Sequence, residues 1–451
     1  MNKTLNNFPI YSIYRIAETE HTGKLPFHWK TKKGKWIFQK KDRPTRPFDD
    51  VITCFRDGQV TLRKNRRTEG FTDAIQEHGY QGVRRGDLVI HAMDAFAGAI
   101  GVSDSDGKSS PVYSVCTPKK PNDVAVRYYA YFLRNMALSG YLTSLAKGIR
   151  ERSTDFRYKD FSSLELPLPP LVEQNRITRF LDQKISKINN AISVKEQQIN
   201  LLKEHKKVLI QNAVTRGLDP DAPMRNSGIE WIGSIPEHWQ IKRLKNISKF
   251  ITSGPRGWSE FFSENGAYFL QSGNLNDSME VVLHEAVRVV PKPGSEGLRT
   301  RLSNNDVLVC ITGAKTGKVA LSDIGEDQEV YINQHLCLAR LDDTNEPAFV
   351  ALILYSLVGQ TYFFLQQYGL KQGLGLDDVK EAPILIPPRK EQVAIIEFIN
   401  QQSAKIDKAI VLFQGQIERL KEYRATLIDS AVTGKIRVPG VEDPARQEAM
   451  A

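Results

Sequence analysis

At 451 residues, with 41% hydrophobic and 25% charged residues, the chain exceeds one ordinary core and has the make-up of a soluble protein of two or three domains. No apolar run approaches the roughly 20 residues that cross a bilayer. The stretch Met1-Asn2-Lys3-Thr4-Leu5-Asn6-Asn7-Phe8-Pro9 lacks the apolar core of a secretory signal, so a cytoplasmic location is expected. Four scattered cysteines without a CxxC pair argue against zinc and against a disulfide framework, and their apolar neighbours mark them as core thiols. The net charge of +10 favours a polyanionic partner such as nucleic acid.

In chain order, residues 1–165 read as a mixed α/β domain. It holds strand-like Asp87-Leu88-Val89-Ile90 and Val112-Tyr113-Ser114-Val115-Cys116, then an apolar helix-like segment from Tyr128 to Leu145. This region has 28 Lys+Arg against 18 Asp+Glu, so the whole basic excess lies here.

Residues 166–217 follow as a proline-bounded helix. Pro170 is placed at the first helical position, Glu173 in the first turn and Gly217 at the left-handed cap. The seam Leu181, Ile185, Ile188, Ile192, Lys195, Ile199, Leu202, Lys206, Leu209, Ala213 steps by four and three, the heptad spacing of a coiled coil. A short linker, 218–226, leads into 227–386, which has 14 Lys+Arg against 19 Asp+Glu.

The second region repeats the first. Asn305-Asp306-Val307-Leu308-Val309 matches Gly86-Asp87-Leu88-Val89-Ile90, and Phe349 to Leu365 matches the earlier apolar stretch. The entrances Leu25-Pro26-Phe27-His28-Trp29 and Ile235-Pro236-Glu237-His238-Trp239 also correspond.

Residues 387–435 then repeat the helix. At a shift of 218, Pro169-Pro170, Glu173-Gln174 and Ala213-Val214-Thr215 meet Pro387-Pro388, Glu391-Gln392 and Ala431-Val432-Thr433 without a gap. Its seam is Ile399, Ser403, Ile406, Ile410, Phe413, Ile417, Leu420, Arg424, Leu427, Ala431. Residues 436–451 are left as a tail.

The expected fold class is α+β: two related α/β domains joined by two long helices that pair as an antiparallel coiled coil. A helix from about 172 to 215 would be about 65 Å long, which predicts two heads on a spacer. Two-fold related repeats pair isologously, so the partner is expected to have two halves.

Candidate chemistry is sparse. Gly313-Ala314-Lys315-Thr316-Gly317-Lys318-Val319 has one residue too few for a phosphate loop, and Val319 stands where a Ser or Thr is required. The Pro-Pro pairs lack the polar and aromatic flanks of a base-flipping methyltransferase, and no Gly-rich cofactor loop follows a strand. The eight histidines show no metal-ligand spacing, and His28 and His238 read as packing or capping groups. No catalytic and no metal residues are predicted.

The polar loops are the candidate DNA contacts. In the first region these are Lys32, Lys33, Lys35, Arg63, Lys64, Arg66, Arg67, Arg150 and Arg152. In the second they are Ser253, Arg256, Asn274, Lys315, Thr316, Lys318, Gln334, Lys371 and Gln372. Arg bonds bidentately to guanine, Asn or Gln to adenine, and Lys mostly to phosphate. A single such cluster is more often a solvated loop. Recurrence at equivalent places in both regions favours contact.

The Pro-Pro-x-x-Glu-Gln helix starts, the Trp231-Ile232-Gly233-x-Ile235-Pro236-x-His238-Trp239 entrance and the helix ends at Ala213 and Ala431 resemble the specificity subunit of type I restriction–modification systems. The resemblance covers nearly the whole chain, except that the Trp-Ile-Gly element is missing before Pro26. It implies two target-recognition domains that read half-sites of double-stranded DNA, with the helices as a ruler between them. It also implies two methyltransferase (modification) subunits and restriction (translocase/endonuclease) subunits as partners. S-adenosylmethionine, ATP and Mg2+ would then be bound by those partners, and none by this chain. A protein-binding adaptor and a stand-alone DNA-modifying enzyme are the other classes left open by the residues.

Overall fold

The computed structural model describes residues 8–16, 23–66, 78–145, 155–291, 294, 296–325, 327–367 and 373–443. The chain divides into two compact units, residues 1–195 with 414–451, and residues 196–413. Each unit combines one globular region with half of each long helix.

The long helices run Leu171–Arg216 and Arg389–Val432. They start one residue later than expected because Pro170 and Pro388 take the cap position. The Pro170 carbonyl accepts from Glu173 and Gln174, and the Pro388 carbonyl from Glu391 and Gln392, at 2.8 to 3.1 Å. Gly217 and Gly434 adopt the left-handed φ (+74° and +71°) anticipated for a helix stop.

Every predicted seam position is buried or half-buried. Leu181, Ile188 and Ile192 in the first unit and Ile199 in the second are buried on the first helix, with Leu202 and Leu209 half-buried. On the second helix Ile399, Ile406, Ile417 and Leu427 are buried, and Ile410, Phe413 and Leu420 half-buried. Within the first unit Arg424 donates to Asn189 at 2.5 Å, and within the second Lys206 bonds Asp407 at 2.7 Å. Each pair joins the two helices within its own unit and accounts for a cation in the seam: Arg424 and Lys206 each reach a polar group on the facing helix.

The globular part of the first unit is built on an antiparallel sheet whose middle strands are Leu88–His91 and Tyr113–Pro118, flanked by Ile100–Val102 and Phe38–Lys40. The second unit repeats it with Val307–Cys310 and Leu336–Leu341, flanked by Val319–Leu321 and Ser248–Ser253. The pairing Leu88 with Cys116 and Val307 with Ala339 makes the registers equivalent. The second unit adds a four-stranded sheet in which Ala267–Leu270 lies parallel to Val330–Ile332. These strands account for the drifting offsets between the repeats.

Each apolar helix-like segment proves to be two helices. The first breaks at Ser139-Gly140, where Gly140 has φ +81°, into Val126–Leu138 and Tyr141–Leu145. The second breaks at Ser356, whose hydroxyl caps Val358 N, into Pro347–Tyr355 and Leu357–Gln366 at 59°. Phe349 to Leu354 are all buried in the core with Trp239, Val307, Ile384 and Ile399. Among the described residues no single helix is long and apolar enough to cross a membrane.

Two boundaries differ from expectation. The linker is shorter, because Met224–Asn226 already pairs with Ser234–Pro236. Residues after the second helix do not trail away as far as they are described: Ile436, Val438 and Val441 are buried, Arg437 N bonds Pro9 O at 2.7 Å, and Asp443 accepts from Ser12. All four cysteines are buried as expected, and burial pushes the Cys116 and Cys337 thiols up to about 12, which makes them inert.

Candidate DNA interface

The two sequence signatures that recur most clearly turn out to be one anchor. Trp29 Nε1 donates to Glu173 Oε1 at 3.0 Å and His28 Nε2 lies 2.9 Å from Oε2. Trp239 and His238 meet Glu391 in the same way at 3.1 and 2.8 Å. The neighbouring glutamine is equally committed. Gln174 accepts from Ala125 N and donates to Pro169 O, while Gln392 accepts from Glu346 N and donates to Pro387 O. The Glu-Gln pair of each helix start thereby ties the entrance strand and the apolar helix of its own domain to the helix. Tyr11 also donates to Glu173, so in the first unit the carboxylate receives a third donor.

The anchored sheets present loops at one end. In the second unit Ile311 N bonds His335 O at 2.9 Å and Leu374 N bonds Ile311 O at 2.7 Å. The first unit has the same contacts at Ala92 N to Val112 O and Phe156 N to Ala92 O. Around this end of the second unit Gly254 packs so closely on Ile332 and Asn333 that a Cβ would lie 2.0 Å from a carbonyl oxygen. Glycine is therefore required there, and it follows Ser253, which pairs with Cys337 at this end of the sheet, while Arg256 beyond it is exposed. Lys315 donates to Gly273 O at 3.0 Å, Lys318 pairs with Asp277 at 2.7 Å, and Thr316 bonds Gly313 O. Thr312 bonds His335 Nδ1, whose other nitrogen lies 3.2 Å from the Gln334 amide.

Four of the predicted second-unit residues thus share this end of the sheet with Ser253: Lys315, Thr316, Lys318 and Gln334. Asn274 is a correction. It is 5% exposed, its carbonyl accepts from Gln271 N and its amide donates to Val282 O. Its side chain is consumed in closing a turn, so it cannot read a base. Lys371 and Gln372 lie outside the described residues. Thr312 and His335 also stand at this end, at strand ends that the repeat itself marks.

In the first unit the equivalent end carries His91, whose Nδ1 accepts from Asp94 N at 3.0 Å and whose ring meets Tyr113 edge-on at 4.6 Å. Burial holds its pKa below the usual value, and because Nδ1 accepts from Asp94 N, the neutral ring carries its proton on Nε2. Arg56 pairs with Asp94 at 2.9 Å. Arg66 pairs with Asp57 at 2.7 Å and lies over Phe55, Lys64 pairs with Asp50 at 2.5 Å, and Arg63 reaches Thr53. Exposed pairs of this kind contribute little stability, so their cations can exchange a carboxylate for a phosphate at small cost. Arg67, Arg150 and Arg152 lie outside the described residues.

Lys32, Lys33 and Lys35 are placed elsewhere. They stand on Lys30–Lys33 and the adjoining Gly34–Ile37 turn, which lead into Phe38 at the Pro118 end of the sheet, opposite to His91. They do not join the loop cluster. Among the described residues no group of three His, Cys, Asp or Glu could hold a metal ion.

A two-fold repeated scaffold with its divergent polar loops at strand ends defines a recognition protein, with its helix anchors repeated and its surfaces varied. The family model described as the type I restriction modification DNA specificity domain matches residues 84–201 and 236–412, and the chain belongs to that family. It is 25% identical over 366 residues to the type I restriction enzyme MjaVIII specificity subunit of Methanocaldococcus jannaschii, covering 79% of this chain and 80% of that one. Its fold is similar to a chain from a structure of the type I R-M system that concerns complex assembly and conformational transition: TM-score 0.66, 16% identity, 90% of this chain and 98% of that one. The HsdS subunit from Thermoanaerobacter tengcongensis superposes with TM-score 0.51 at 16% identity, covering 91% and 98%.

Proposed function

We propose that this chain is the DNA-specificity subunit of a type I restriction–modification complex and that each unit reads one half of a split site. The observation that carries the reading is the equivalence of the loop ends: Ala92–Phe156 and Ile311–Leu374 are held by the same backbone bonds, yet surround different side chains. In the second unit Gln334 and Arg256 are the base-reading candidates, with Lys315 and Lys318 on phosphate. In the first unit Arg56, Arg66 and the Nε2–H of His91 take these places.

The chain would also scaffold two modification subunits. Exposed Leu201, Val208, Val411 and Leu412 in the second unit leave an apolar strip on the helices, with Val194 exposed in the first. Isolated exposed apolar residues are ordinary, but a heptad-spaced strip fits a partner helix. S-adenosylmethionine, ATP and Mg2+ belong to those partner subunits, and the complex works in the cytoplasm.

The test is to co-express the chain with its modification subunit and map N6-methyladenine across the genome. A split motif with a fixed gap, absent without this chain, is the expected result. Unmodified DNA, from a modification subunit shown to bind both this chain and S-adenosylmethionine, would overturn the reading.

A further inference from the structure

The Pro118 end of the first unit's sheet carries a feature for which half-site reading has no use. Trp36 is 63% exposed, with Lys35 Nζ 5.4 Å and Lys119 Nζ 5.5 Å from its ring centre. Exposed Lys30, Lys32 and Lys33 line the adjoining strand, and Lys120 follows Lys119. Among the described residues none of Lys30, Lys32, Lys33, Lys35, Lys119 and Lys120 forms an ion pair.

The repeat supplies an internal control. Lys119 N bonds Ile37 O at 2.8 Å and Asp342 N bonds Ile247 O at 3.0 Å, so Lys119-Lys120 correspond to Asp342-Asp343. Gly34 N bonds Leu164 O, and Leu244 N bonds Ala382 O, so Ser163 corresponds to Glu381. In the second unit Glu381 engages both Lys245 and Arg243, and Asp343 engages Lys249 at 2.8 Å. Asn246 stands where Trp36 does. One scaffold position is thus neutralised internally in one unit and left as an open cationic ring around an indole in the other.

We infer that the Trp36 patch is a docking surface for a protein with a carboxylate-rich face, engaged by the first unit alone; this rests on the specificity-subunit reading. An aromatic anchor rimmed by charge is the anatomy of a protein interface. A duplex seated at the His91 end leaves the patch uncovered, since the six residues of Tyr113–Pro118 put it about 20 Å away. A partner present in two copies and bound to repeated features would meet this patch only once. The patch therefore selects a partner, or one copy of it, that contacts the chain asymmetrically.

The experiment uses the full chain carrying Trp36→Ala, Lys119→Asp and Lys120→Asp, assembled with its modification subunit and titrated with its restriction subunit. Each side chain is exposed, so the melting temperature should not move, and Trp36→Phe should retain part of the binding. The expected result is at least about tenfold weaker association of one of these subunits at low salt. The difference should fade as screening increases, with DNA affinity and its salt dependence unchanged. A flatter salt dependence of DNA binding, by about one slope unit per lost contact, would make the patch a phosphate site and overturn the proposal. Unchanged binding of both subunits would overturn it too. Loss of split-site preference by the complex with the unaltered chain would instead sink the specificity reading, and subunit binding would still report on the patch.

Discussion

The two units solve the same problems with different residues, and the differences sort by location. Where a globular region meets its helix, the solutions coincide: Glu173 and Glu391 each accept a Trp and a His, and Gln174 and Gln392 make matching bonds. Inside the sheets the chemistry agrees while its origin does not. Buried Asp87 is paired by Arg43, from the loop after Phe38–Lys40, whereas the equivalent Asp306 is paired by Arg340 on the central strand. Thr117 occupies Arg340's place in the first unit, and its hydroxyl is buried without a partner among the described residues. On the surfaces even the sign of charge changes, from Lys119-Lys120 to Asp342-Asp343. The lesson is that burial enforces a satisfied carboxylate, at high cost if unpaired, but leaves free which strand supplies the cation. Solvent enforces nothing, which lets recognition surfaces diverge on a fixed anchor.

The largest expected effect comes from breaking the equivalence outright. Replacing residues 227–386 with the corresponding region of another specificity subunit should change one half-site completely and leave the other intact, read by methylation mapping. A change in both half-sites would mean that the units do not read independently.

Next in size is the anchor. The Glu173 side chain is 6% exposed and takes three donors, whereas the Glu391 side chain is 26% exposed and takes two. Alanine at 173 should therefore cost about 3 kcal/mol and at 391 about 1–2 kcal/mol, measured by denaturant unfolding of the full chain. Equal losses would show that Tyr11 adds nothing to the first anchor.

A smaller effect is expected at Gly415, in the middle of the second long helix, where an added Cβ meets nothing within 4 Å. Gly415→Ala should stabilise the chain by about 1 kcal/mol through helix propensity, seen as a higher melting temperature. Its counterpart in the first helix is Gln197, a good helix former, so Gln197→Ala should gain far less.

The smallest effect is the pH dependence contributed by His91 in the first unit. Burial depresses the pKa of His91, so below the ordinary histidine value the unfolded chain takes up a proton that the folded one refuses. Stability from this group is complete above that value and falls as pH drops toward the folded pKa. The equivalent residue in the second unit is Cys310, which does not titrate there. Hydrogen exchange at Tyr113 should accelerate on acidification relative to exchange at Leu336, and His91→Gln should remove the difference.

Much of this molecule is legible in its sequence. The repeat, the two helices with their stops at Gly217 and Gly434, and the seam residues all follow from local rules: a heptad spacing has one consistent buried stripe, and a left-handed cap favours glycine. The choice of Glu and Gln after the paired prolines is legible as a recurring motif but not as a mechanism. Its reason is tertiary, since the bonding partners of Glu173 lie 144 to 162 residues away. The candidate loops divided for the same reason. Ser253, Lys315 and Gln334 share an end of the sheet because three strands end together, while Asn274 is drawn inside by two backbone partners that no spacing announces. Lys32, Lys33 and Lys35 look like the other basic clusters in sequence, yet antiparallel pairing carries them to the far end of the sheet. Periodicity, caps and composition act over a few residues, so the sequence by itself determined the repeated architecture and the two long helices with their glycine stops. Which polar side chains face solvent, which are spent on buried backbone groups and which share an end of a sheet depend on long-range strand register, and only the tertiary structure decided them.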